Sequence, residues 1–237
     1  MTAVVSPGAY WLVVASAAAG LAAVSVVARH HPGPWRVTVL RVIGTLLAAD
    51  VVTYTAGEVR AGTWAPATSL PLALCNVGVV VAAIACWWQV PLLVELTYFW
   101  GLAGTLQAII TPDLNVPFPH LVFFEYLVGH LGIVCAAVFL VAGMRLAPRP
   151  GAVPRVFAIT AAYTACVGLV DGLSGANYMF LRRPPAEWTL LRLLGPWPWY
   201  VVSAAGVGLV LFLLLDLPFR ISRDRLHRRG TPVALPR

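Results

Sequence analysis

The chain has 237 residues, 60% of them hydrophobic and 11% charged, with a mean hydropathy of +0.84. Soluble domains carry about 25% charged and about 45–50% apolar residues, so a water-exposed globular domain, a disordered chain and a nucleic-acid-binding domain are excluded. The formal net charge is +7 and all sixteen basic residues are arginine, so the meaning of that charge depends on where the arginines fall.

A membrane-spanning helix needs about 20 apolar residues. Seven stretches qualify, at about 9–28, 37–57, 70–89, 91–111, 121–143, 155–174 and 198–217. The first carries no charge, lacks a basic leader and exceeds the roughly 7–15 apolar residues of a signal peptide, so it reads as a span. The third and fourth are joined by Gln89-Val90-Pro91, with Pro91 suited to the first turn of the second helix. The expected fold is all-α: a polytopic bundle of seven transmembrane helices over residues 1–219, followed by a basic tail over 220–237. No separate soluble domain and no inverted repeat of the transporter kind is expected.

The arginines set the orientation. Arg29, Arg36, Arg145, Arg149 and Arg155 fall in loops on the same side as the tail, which adds Arg220, Arg223, Arg225, Arg228, Arg229 and Arg237. The other side holds Arg60, Arg182, Arg183 and Arg192, while Arg41 sits just inside span 2. The positive-inside rule then places the N-terminus outside and the C-terminus in the cytoplasm, in a multi-pass protein of the cell membrane. The tail is expected to lie against the anionic inner leaflet. Membrane lipids are the expected partners, nucleic acid is not, and the oligomeric state is not fixed.

Ionisable groups within a bilayer are costly and are usually paired or functional. Asp50, Glu95, Glu125, Asp171 and Asp216 fall within the predicted spans, as does His130, with His120 at the mouth of span 5. With the N-terminus outside, Asp50, Asp171, His120, Glu125 and the loop residues Asp113, Asn115 and Asn177 gather toward the outer half. Glu95 and Asp216 lie at cytoplasmic ends, within reach of arginines. Each intramembrane acid also has a structural reading, as a hydrogen-bonded packing group.

Cys75, Cys86, Cys135 and Cys166 show no CxxC spacing, so no metal centre and no cofactor is expected. Cys75 follows Leu70-Pro71-Leu72-Ala73-Leu74, about 8 Å into span 3, on a face of small residues with Gly78 and Ala82. His130 lies roughly 15 Å into span 5. These depths are compatible with contact and do not show it. A thiol beside an imidazole is the arrangement of covalent acyl transfer.

The segments LPLALCN (70–76), TPDLNVPFPH (111–120), FFEYLVGH (123–130), NYMFLRRPP (177–185) and LGPWPWY (194–200) carry a resemblance. Over about residues 35–219 the chain resembles the YwaF-type family of bacterial integral membrane proteins, which is related to a eukaryotic multi-span phospholipid acyltransferase family. The resemblance implies a catalytic Cys and His, matching Cys75 and His130, that move an acyl chain between phospholipids. A more distant set of multi-span fatty-ester hydrolases has a similar layout and uses Thr and His. This chain departs from the pattern at Ala73, where many members carry a polar residue, often His.

The expected function is therefore that of a lipid acyltransferase or acyl-ester hydrolase, with Cys75 as nucleophile and His130 as base. Asn76, His120, Asp171, Asn177, Arg182 and Arg183 are the candidate substrate-binding residues: arginines for a phosphate headgroup, Asn76 or Asn177 for a developing oxyanion. Trp197, Trp199 and Tyr200 read as an interfacial anchor. The alternatives are a small-solute or ion transporter using the intramembrane acids, and a non-catalytic envelope protein.

Overall fold

The computed structural model of the chain describes residues 7–112, 121–184 and 190–230, and all regular structure among them is helical. Its helices are α1 (Pro7–His30), α2 (Trp35–Ala61), α3 (Leu74–Trp88), α4 (Pro91–Phe99), α5 (Leu106–Ile110), α6 (Leu121–Val138), α7 (Ala152–Ser174) and α8 (Trp199–Gly230). A π-helical turn, Trp100–Thr105, joins α4 to α5 in one continuous rod, and a second, Phe139–Gly143, ends α6. Gly62 and Gly175 close α2 and α7 in the left-handed conformation, which a residue without Cβ adopts freely. Pro91 opens α4 in its first turn, where its missing N–H leaves no bond unmade.

Among the described residues, six helical rods are long and apolar enough to cross a membrane, and α3 is a shorter apolar helix. Its 15 residues extend about 22 Å, against a hydrocarbon core of about 30 Å. The segment predicted as a span over 70–89 thus starts as non-helical chain, and its helix begins only at Leu74. Pro71 cannot donate a helical bond, and the backbone of this stretch is satisfied from afar. The Leu70 N–H donates to Tyr178 Oη (3.0 Å), while the Tyr178 and Tyr163 hydroxyls donate to the carbonyls of Pro66 (2.8 Å) and Leu72 (3.0 Å). Irregular backbone at such depth is tolerated where protein groups take up its polar atoms. At the other end of the chain, α8 continues past Pro218 to Gly230, so the start of the predicted tail prolongs the last helix.

The centre of the bundle is α2, α3, α4 and α6, with α1 against the end of α6 and the α7–α8 pair against α4 and its π turn. Without water to drive association inside a membrane, close approach through small residues holds helices together. A Cβ at Gly44 would lie 2.9 Å from Cys86 Cβ and 3.0 Å from the Ala83 carbonyl oxygen, so α2 and α3 touch at backbone distance. At Gly101 it would lie 3.1 Å from Ile133 Cγ2, bringing α4 equally close to α6.

Arginines knit the end where α1 finishes. Glu95 of α4, 1% exposed, accepts from Arg149 Nε (2.8 Å) and the Arg149 backbone N–H (3.1 Å), and from Arg155 Nε (2.9 Å) and Nη2 (3.0 Å). Its carboxylate raises the Arg149 guanidinium above the ordinary arginine pKa. Asp216 pairs with Arg220 and Arg223, and Arg223 also reaches the Pro148 carbonyl (3.1 Å). Arg36 donates to the carbonyls of Ala28 and Gly143, and Arg145 to that of Arg29. The two acids expected to meet arginines do so. Leucine, valine and tryptophan side chains cover much of the outer surface of α1, α2, α7 and α8, as the lipid-contacting face of a multi-pass membrane protein requires.

Candidate functional site

Cys75 is the second residue of α3. Ala73 stands at the N-cap with no side-chain bond, and the first helical bond is Val77 N–H to the Ala73 carbonyl (3.1 Å). The N–H groups of Leu74, Cys75 and Asn76 therefore have no partner within the helix, as in any first turn. Thr105 ends the π turn, and Gly104 just before it meets Leu74 of α3 (3.6 Å from a Cβ placed there). Cys75 and Asn76 are half-buried, and Thr105 is 2% exposed.

His130 enters at the same level, as the register of three helices shows. Ile133 of α6 touches the space beside both Gly78 (3.6 Å) and Gly101 (3.1 Å), so α3, α4 and α6 converge on it. One turn from that point along each helix, on the same side, lie Cys75, Thr105 and His130. Val79 confirms the pairing of α3 with α6, lying 3.6 Å from a Cβ placed at Gly129. The imidazole stacks on Tyr126 (4.0 Å between centroids), and Nδ1 is 2.8 Å from the Tyr126 carbonyl oxygen. A carbonyl only accepts, so Nδ1 carries the proton and Nε2 keeps the lone pair. Cys75 and His130 make no hydrogen bond to each other; the imidazole bonds the Tyr126 carbonyl.

Further toward that end, Asp50 of α2 has a carboxylate oxygen 3.0 Å from a Cβ at Gly129, four residues along α6 from Glu125. Asp171 is fully buried near the end of α7; Oδ1 accepts the Tyr178 N–H (2.9 Å), while Oδ2 has no partner among the described residues. The Asn177 amide is used by its own loop: Oδ1 accepts the N–H groups of Arg182 (3.0 Å) and Arg183 (3.1 Å), and Nδ2 donates to the Arg183 carbonyl (3.0 Å). Arg182 Nη1 reaches the carbonyls of Asp171 and Ala176, capping α7, whereas the Arg183 side chain is exposed. Trp197 and Tyr200 bind the carbonyls of Leu181 and Phe180. His120, Asp113 and Asn115 lie outside the described residues.

The structure thus brings Cys75, Asn76 and His130 to one level and gathers Asp171, Asn177 and Arg182 in a separate loop cluster. An open apolar groove of about 470 Å³ runs between α2 and α3, lined by Val51, Val80, Ile84 and Trp87 among others. It lies off the row of α3 that carries Cys75, Val79 and Cys86.

The profile of the TMEM164 family, a family of multi-span membrane proteins, matches residues 4–216. The chain belongs to that family. No curated protein and no solved structure shows a significant match to it. Within this TMEM164-family chain the matched span takes in the level of Cys75, Thr105 and His130, the 177–183 loop and all helices up to Asp216 of α8. Sequence reasoning had passed over Thr105. The available signal was Gly101 and Gly104 just before it, small residues that let a neighbouring helix reach the threonine.

Proposed function

We propose that the chain is a membrane enzyme that transfers or hydrolyses lipid acyl groups through Cys75 and His130. The observation that carries this reading is the common level of a thiol, a hydroxyl and an imidazole whose Nε2 holds the lone pair. The resemblance to YwaF-type proteins, and through them to Cys/His phospholipid acyltransferases, supplies the substrate class.

In this mechanism His130 Nε2 takes the Cys75 proton as the sulfur attacks the ester carbonyl. The C–O bond breaks, the leaving lysolipid oxygen receives that proton, and a thioester remains. A second lysolipid hydroxyl, or water, then gives its proton to Nε2 and attacks the thioester. The C–S bond breaks and the sulfur regains the proton. The N–H groups of Cys75 and Asn76 are the donors for the tetrahedral oxygen. The positive end of the α3 dipole favours negative charge on the sulfur. Catalytic hydrogen bonds in substrate-free enzymes are often long and tighten in the complex, so a resting structure without a Cys75–His130 bond suits this scheme.

We place the N-terminus outside and the C-terminus in the cytoplasm, in the cell membrane, on the arginine distribution. With α3 counted as a crossing, the bundle has seven spans and the site lies in the outer half. Arg183 is then the phosphate ligand for the headgroup, and Asp171, Asn177 and Arg182 build the loop that presents it. His120 keeps its sequence-based role of orienting the headgroup. No metal or soluble cofactor enters the scheme, and the transport reading is disfavoured because Glu95 and Asp216 are each committed to two arginines.

The test is acyl exchange between phospholipid and lysophospholipid by the purified chain in lipid nanodiscs, with Cys75→Ala and His130→Ala alongside. Wild-type exchange should fall about 10²–10⁴-fold without the base, and thioester should be trapped only when Cys75 is present. Exchange retained by both variants would remove the mechanism.

A further inference from the structure

Beside the close contact of α2 with α3 runs the open groove of about 470 Å³, walled by Ala48 and Val51 of α2 and by Val80, Ile84 and Trp87 of α3. On α2 the lining row continues turn by turn from Val51 through Ala48 and Gly44 to Arg41, about 15 Å along the helix. Trp87 joins the two parts. Its indole Cδ1 is 2.8 Å from a Cβ placed at Gly44, and Arg41 lays its guanidinium over the same indole, 5.4 Å from the ring centroid. The apolar groove therefore ends at a cation.

The protein supplies no counter-charge for it. No Asp or Glu occurs in α3, the first acid along α2 is Asp50, and Arg41 bonds no side chain or carbonyl among the described residues. Arg36, Arg145, Arg149 and Arg155 at the same end all have such partners. Arg41 stands about 9 Å along α2 from Trp35, where an unpaired arginine in a span is costly. A guanidinium stacked on tryptophan keeps its N–H edge free for two bonds to a phosphate.

We propose that the α2–α3 groove binds one anionic phospholipid of the leaflet at the arginine-rich end, an acyl chain lying along Val51, Val80 and Ile84 and the phosphate held by Arg41. Water does not fill an apolar groove in the hydrocarbon region, and the volume is within the roughly 300–1,000 Å³ of ligand sites. With no carboxylate beside it to meet a choline or ammonium group, a single cation selects a headgroup of net negative charge. Trp87 and Trp88, exposed at the end of α3, suit the headgroup level. The bound lipid is not the acyl donor of the Cys75 site, because the groove lies off the row that carries the thiol, and it is held whether or not the chain is an enzyme.

The test uses the full chain in phosphatidylcholine nanodiscs containing a minor fraction of phosphatidylglycerol or phosphatidylcholine with a diazirine in one acyl chain. Labelled residues are mapped by mass spectrometry. Phosphatidylglycerol should label residues 48–51 and 80–84 about tenfold more than phosphatidylcholine at equal mole fraction. Leu214 and Leu217, exposed on α8 near Asp216 and its arginines, control for lipid that merely collects at that end and should show no such preference. Arg41→Gln should abolish the preference. Ala48→Phe, at an exposed position, fills the groove and should lower labelling of 80–84 by both lipids about tenfold. Excess inorganic phosphate should displace neither.

Equal labelling by the two lipids in wild type overturns the site, as does a preference that survives in Arg41→Gln or is as large at Leu214 and Leu217. Displacement by inorganic phosphate overturns it in favour of a free anion. Absence of label with cross-links between two copies overturns it in favour of a self-association face. Should Arg41→Gln fail to fold, wild type carries the test: the preference must be present there and vanish in Ala48→Phe.

Discussion

The two ends of the bundle solve the problem of buried polarity in opposite ways. At the arginine-rich end, Glu95 and Asp216 each meet two guanidinium groups, and four further arginine bonds hold the carbonyls of Ala28, Arg29, Gly143 and Pro148. At the other end the ties described run to backbone groups: Tyr163 to Leu72, Tyr178 to Pro66 and Trp197 to Leu181, with Asp171 accepting the Tyr178 N–H and Arg182 donating to the carbonyls of Asp171 and Ala176. Breaking a buried charge pair is far costlier than losing one neutral bond. The ion-paired end fixes the helices, and at the other end the His130 imidazole bonds a backbone carbonyl and not a carboxylate.

The contrast breaks most visibly in a paired experiment. His130→Ala should lower acyl exchange about 10²–10⁴-fold while leaving thermal unfolding in nanodiscs nearly unchanged. Glu95→Ala should do the reverse, removing about 3 kcal/mol of stability while the folded fraction stays active. That figure is the lower end of the range, because Arg149 and Arg155 are 48% and 34% exposed and reach water when released. Equal loss of activity and stability in both variants would erase the distinction between the ends.

Packing offers a smaller test. Gly44→Val must push α2 from α3, since its Cβ already meets Cys86 Cβ and the Ala83 carbonyl at 3.0 Å or less. A cost of about 1–3 kcal/mol is expected in thermal unfolding, and an unchanged midpoint would show that the helices separate freely. Tyr178→Phe is the mildest. It loses the hydroxyl that bridges Pro66 and Leu70, about 1–2 kcal/mol, and should raise amide exchange in residues 66–72 before it changes global stability.

Sequence conveyed the helices well where hydropathy alone decides them. The run over 121–143 is helical from Leu121 to Gly143, because an unbroken apolar stretch of that length has no cheaper way to satisfy its backbone in lipid. It failed at the start of α3, where Leu70-Pro71-Leu72 is as apolar as a helix but is bonded by Tyr163 and Tyr178, about a hundred residues away. It also gave Asn177 a free amide, whereas that amide is taken by the backbone of Arg182 and Arg183.

The tyrosine-bonded chain over residues 65–72 has a consequence for measurement. It lies directly ahead of Cys75 in sequence, and hydroxyls from α7 and the 178 loop hold it in place. Under the proposed reading the substrate is a lipid that arrives sideways, from the lipid phase. The concentration that governs turnover is the mole fraction of lipid in the bilayer, not its molarity in the tube. Diluting the vesicles should leave the rate per enzyme constant, while diluting the substrate among inert lipids should lower it.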